Sequence, residues 1–186
     1  IEYMNAMYTV LALREPLSAV CWTGVADPGY DFGGIIEQTR IIPSESYSGN
    51  HIVYLPHYLT PRDPLWTLQD AALLDRQLGQ LGRMYGRDVA GLLNRSWVFR
   101  RRHAAPITDV GFHQRIPRFR SPLPGLYVAG MCHVYPDERS VNNSIRVAAE
   151  LVRAMGFPQT ADLVPRGLSL SAKYGGDGPP PDRTAG

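Results

Sequence analysis

Lysine is nearly absent from this chain. Lys173 is the single lysine, so arginine carries almost all of the positive charge. With 19 Lys and Arg against 17 Asp and Glu, the net charge is only +2. A balance that small gives no reason to expect a nucleic-acid partner, and weak contact with a membrane surface stays open. The one basic run, Arg100-Arg101-Arg102-His103, is short and reads as a solvated strand edge. Cysteine is scarce too. Cys21 and Cys132 form no CxxC pair and cannot build a disulfide scaffold. A reducing cytoplasm is the expected compartment. No apolar run is long enough to span a bilayer. No basic-then-apolar pattern opens the chain.

Two further absences bear on chemistry. His51 and His57 have no third ligand near them in sequence, and Cys132-His133 is an isolated pair. Metal sites need three or four ligands, so no metal is expected. Nor does any G-x-G-x-x-G follow a strand and open a helix, so no complete dinucleotide-binding unit is encoded. The chain starts at Ile1 and runs quickly into strand-like sequence, and the expectation is a piece whose N-terminal part is missing.

What is present reads first as strands. Ala6–Arg14 is an apolar run broken by Glu15-Pro16, and Ser18–Val25 is a second. The two look like a hairpin or antiparallel neighbours. Asp27-Pro28-Gly29 marks a turn. Ile35–Ile42 alternates, so Glu37 is either solvent-facing or buried and functional, and the alternation favours the solvent face. A fourth run, His51–Leu59, follows Asn50, and four strands with turns between them suggest an antiparallel sheet. A helix begins near Thr67 or Asp70 and ends near Tyr85, with Leu74, Leu78 and Leu81 inward and Gly86 as its stop. Val89–Leu93 reads as a further helical turn. Ser96–Arg101 reads as another strand, with Trp97 and Phe99 on one face and Val98 on the other.

The C-terminal half is organised around Pro124–Gly130. That stretch reads as a short buried strand ending in a glycine turn. An irregular loop, Met131–Glu138, leads to a helix capped by Ser140. Its apolar stripe is Val141, Ile145, Ala148, Ala149, Val152 and Met155, and Gly156 with Pro158 stops it. The N–H groups and dipole of such a helix start suit an anionic group or an electron-rich carbonyl. Beyond Gly156, the Pro/Gly-rich tail around Gly175–Pro181 cannot bury enough apolar area to order itself.

The residues Gly125-Leu126-Tyr127-Val128-Ala129-Gly130-Met131, Tyr135–Arg139 and Val141–Arg146 resemble the C-terminal flavin-binding segment of FAD-dependent oxidoreductases. The group is the amine oxidase and protoporphyrinogen oxidase superfamily, with UDP-galactopyranose mutase-like relatives. The resemblance implies an α+β chain. Residues 1–105 would be part of an antiparallel or mixed-sheet substrate-binding domain. Residues 106–156 would hold the last strand and helix of a Rossmann-like FAD domain, and 157–186 a disordered tail. The N-terminal dinucleotide-binding part would be absent. The implied cofactor is FAD, with contacts at Gly130, Met131, Arg139, Val141, Asn142 and Asn143. Many members carry an acidic residue where this chain has Met131. His133, next to the implied flavin loop, reads as a contact or a surface group.

The implied reaction is oxidation of a small organic substrate by hydride transfer to flavin, and no catalytic side chain is assigned. Trp22, Tyr54, His57 and Tyr58 are candidates for the substrate pocket, with plain packing as the alternative for each. One rival is a mutase-like enzyme whose nucleotide-sugar pocket would draw on Arg40, Arg62 and Arg102. The other is a truncated, non-catalytic binding module. Oligomeric state is not legible.

Overall fold

The computed structural model describes residues 1–157 of the 186. The expected disordered tail therefore lies outside the described residues, apart from Phe157. The described chain divides into two compact units, Glu2–Ile107 and one that starts at Thr108.

The first unit is a mixed α+β fold. Five strands form one sheet: β1 (Tyr3–Leu13), β2 (Trp22–Gly24), β3 (Gly34–Glu37), β4 (His51–Leu59) and β5 (Leu93–Pro106). Their order is β2-β3-β4-β1-β5, and every pairing is antiparallel. One helix, α1 (Asp70–Tyr85), joins β4 to β5 through the loops on either side of it. The expected β1–β2 hairpin does not form. β1 lies between β4 and β5, and β2 pairs only with β3. The reason is length: β1 is eleven residues and matches the nine of β4, whereas β2 is three.

Alternation places one face of the sheet on α1. Leu11, Leu13, Ile35, Val53 and Leu55 pack with Leu78 and Leu81 of α1, together with Phe32 and Val89. A smaller cluster joins Met7 and Leu59 to Leu73. The buried side of α1 is Leu73, Gln77, Leu78 and Leu81, and Leu74, half-buried, packs against the same core. The helix ends at Gly86, whose φ of 63° is the left-handed conformation in which glycine carries no Cβ penalty.

β3 is shorter than the alternation predicted. It stops at Glu37, and residues 38–40 form a single 3-10 turn. Glu37 also faces the opposite way from the expectation. Its side chain is buried, 1% exposed, on the α1 side between the apolar positions. There it accepts the Leu17 N–H at 3.0 Å and the Ser18 hydroxyl at 2.6 Å. A buried carboxylate that is hydrogen-bonded on both oxygens meets the condition under which burial of charge is tolerated.

Among the described residues the second unit carries one α-helix, α2 (Val141–Ala154). The strand expected over Gly125–Gly130 does not form, and Leu126 and Val128 are exposed. Arg120 and Tyr127 make one isolated antiparallel bridge. A strand needs a neighbour along its length to satisfy its backbone groups, and this stretch has one only at that bridge. Among the described residues no helix is long and apolar enough to cross a membrane.

Candidate functional site

The face of the sheet away from α1 is the first candidate. Register places Trp22, Ile36, Tyr54, Val10 and Trp97 opposite one another in a single row across all five strands. The next row holds Pro56, Tyr8 and Phe99. Tyr58, Ala6 and Arg101 form a third, and Ile52, Ala12 and Arg95 flank the aromatic rows on the other side. Trp22 is 62% exposed and Phe99 58%, and Trp97 and Tyr58 are exposed as well. The alanines at positions 6 and 12 are buried among larger neighbours. The result is a broad aromatic surface on a rigid sheet, a feature that on soluble proteins marks a binding surface.

Three of the four expected pocket residues therefore share one face: Trp22, Tyr54 and Tyr58. His57 does not. It stands opposite Met7, on the α1 side, because neighbours in a strand point to opposite faces. Its Nδ1 is buried and, among the described residues, has no hydrogen-bond partner. Sequence reasoning saw that Trp97 and Phe99 share a face but did not tie them to Trp22 and Tyr54. The alternation Arg95-Trp97-Phe99-Arg101 was the available signal.

The arginines of the rival nucleotide-sugar pocket sit on separate elements. Arg40 is in the 3-10 turn after β3, 3.8 Å from the Glu37 carboxylate. Arg62 is in the turn after β4, and Arg102 is in β5.

The second candidate is the segment from Gly130 into α2. Gly130 is extended, with φ −165° and ψ −176°, a conformation open to any residue. A Cβ built on it meets no atom within 4 Å. Neither backbone strain nor internal crowding requires glycine there. Met131 opens a 3-10 turn, Met131–Val134, which buries Cys132 and Val134.

His133 anchors this turn. Its Nε2 lies 2.9 Å from the Pro117 carbonyl, and its Nδ1 lies 3.1 Å from the Gly130 N–H. A carbonyl can only accept, so Nε2 donates to Pro117, while Nδ1 lies within reach of both the Gly130 N–H and, at 3.2 Å, the Gly130 carbonyl. The ring also stacks on Phe119 at 4.8 Å. Arg146 of α2 holds the rest of the loop, 2.8 Å from the buried Asp137 carboxylate and 2.7 Å from Glu150.

The helix starts as expected. The Ser140 hydroxyl accepts the Asn143 N–H at 3.3 Å. Val141 and Asn142, the first two helical residues, are exposed. Among the described residues their N–H groups have no partner, so they and the dipole are open to an acceptor. The Asn143 amide donates to the Glu138 carbonyl at 2.8 Å, and Arg139 is exposed. The apolar stripe read from the sequence is not the buried side. Val141 is 76% exposed, and Ile145, Ala148 and Met155 are exposed too, whereas Val147 is buried. The Arg146 ion pairs and Val147 fix which side of the helix its own unit covers.

No protein-family model matches the chain, and no curated protein matches it. Two solved structures share its fold. One is a protein from Exiguobacterium sp. 255-15 provisionally named a protoporphyrinogen oxidase, at 18% identity and a TM-score of 0.64. The match covers 83% of this chain and 35% of that one. The other is an oxidoreductase from Methanosarcina mazei, at 17% identity and a TM-score of 0.52, covering 84% of this chain and 35% of that one. The chain thus spans about a third of the length of each. Likeness at this identity establishes the fold alone, a mixed α+β fold that makes up part of each larger chain.

Proposed function

We propose that this chain is part of an FAD-dependent oxidoreductase that oxidises a small organic substrate. The observation that carries the reading is Gly130, a glycine that none of the described residues requires, immediately ahead of the 3-10 turn and ten residues ahead of the Ser140 cap of α2. The fold shared with two larger oxidoreductases supports it.

FAD fits the residues of this segment. The bare backbone at Gly130 would let a flat ring approach. The open N–H groups of Val141 and Asn142 would face an electron-rich carbonyl edge and favour negative charge there. Ser140 holds the helix start in place, and the Arg146–Asp137 pair holds the loop against it. The flavin, when bound, supplies the redox chemistry by accepting a hydride. Oxidation at a flavin asks the protein mainly for orientation and exclusion of water. Within the first unit, the aromatic sheet face suits the binding of an apolar substrate, with Trp22, Tyr54 and Trp97 as its central row.

The adenine and pyrophosphate contacts would come from sequence outside these 186 residues, where the glycine fingerprint is missing. The test is the visible absorption spectrum of the purified product of the reading frame extended upstream of Ile1, beside that of this chain. A bound-flavin spectrum in the longer product supports the reading. A longer product that stays colourless after reconstitution with FAD overturns it.

A further inference from the structure

The sheet face away from α1 carries a charge pattern as well as an aromatic one. Arg95 stands opposite Ala12 and Arg101 opposite Ala6, so both occupy the open face. Both are exposed. Among the described residues neither is in an ion pair or hydrogen bond. Their neighbour Arg100 points the other way and is engaged, with Asp70 and with the Leu68 carbonyl. Six residues of strand separate Arg95 from Arg101, about 20 Å at the usual rise per residue. Trp97 and Phe99 lie between them on the same face. Among the described residues, no paired position of this face is Asp or Glu.

We propose that this face binds a flat, apolar anion and discriminates against protonated amines. Calling that ligand the substrate rests on the oxidoreductase reading above. The binding itself does not. The aromatic rows supply stacking area for any flat apolar molecule. Two unpaired guanidiniums beside them fix the preferred sign of its charge. A cation would gain an attraction to exposed aromatic rings of about 0.5–1 kcal/mol. It would meet two like charges with no carboxylate at the paired positions of the face to offset them. A carboxylate gains the planar donor fork of either arginine, the geometry that matches it best.

The test uses two probes with the same flat body and opposite charge, pyrene-1-carboxylate and pyrene-1-methylammonium. Binding to the chain is followed by calorimetry at low salt. The expected result is that the carboxylate binds about tenfold more tightly, with a preference that falls as salt is added. In R95Q/R101Q the preference disappears while the melting temperature holds, since both side chains are exposed and unpaired. In Trp97→Ala both probes weaken together. Equal binding of the two probes overturns the proposal. So does a carboxylate preference that survives R95Q/R101Q. Loss of probe binding on self-association of the chain also overturns it, because the face would then be covered by a second copy. Flavin content plays no part in these readouts, so this proposal and the oxidoreductase reading fail separately.

Discussion

The Ser18 hydroxyl donates to the Glu37 carboxylate at 2.6 Å, nineteen residues away along the chain. With the Leu17 N–H on the other carboxylate oxygen, this contact closes the loop between β1 and β2 onto the end of β3. Replacing Glu37 with Ala would leave the buried Leu17 N–H without its acceptor. The expected loss of stability is about 2–3 kcal/mol, read by urea denaturation. Glu37→Gln keeps an acceptor oxygen and should lose less. Equal losses for the two variants would mean that packing, not hydrogen bonding, explains this carboxylate.

Tyr85, at the end of α1, gives a pH prediction. Burial raises its hydroxyl above the ordinary value of 10.0, and the Glu37 carboxylate adds to the shift. The Ser18 hydroxyl and Arg87 pull the other way. The folded state therefore holds this proton more tightly than the unfolded one. The associated stability is complete below the ordinary tyrosine value and is lost as pH rises through the folded value. Thermal melts should fall in midpoint above about pH 10. Tyr85→Phe should flatten that fall.

Arg146 and Asp137 are expected to act together. The Asp137 carboxylate is 2% exposed, and Arg146→Ala would remove its guanidinium partner. Breaking a buried pair from one side costs about 3–5 kcal/mol, more than an exposed pair. The second unit should lose protection from hydrogen exchange over residues 131–147. Double replacement of both residues should recover part of the loss.

How far the sequence can be read depends on what each residue contacts. Periodicity located β4 and α1 closely, because both are long and their repeats are set by packing against one partner. Ser140 and Gly86 were legible because helix ends are decided by local hydrogen bonds and dihedrals. Glu37 was misread because alternation gives two faces without saying which is buried. The hydrogen bonds from Leu17 and Ser18 decide that, and they cross twenty residues. The Gly125–Gly130 strand was misread because strand formation depends on neighbours that residue pattern does not supply. The exposed row from Trp22 to Trp97 exists only once β1 lies between β4 and β5. His57 was grouped with Tyr54 and Tyr58 by proximity in sequence, and period-two geometry sent it to the other face.

Flavin content on substitution at Gly130 bears most directly on the central claim. In the upstream-extended product, Gly130→Val adds a branched side chain at a position whose backbone conformation tolerates it and where, among the described residues, a Cβ meets no non-neighbouring atom within 4 Å. The account predicts an unchanged melting temperature for the flavin-free protein and at least about a tenfold loss of flavin affinity, or roughly 1.4 kcal/mol, measured by absorbance titration. A Gly130→Val protein that takes up flavin as tightly as the parent would contradict the account.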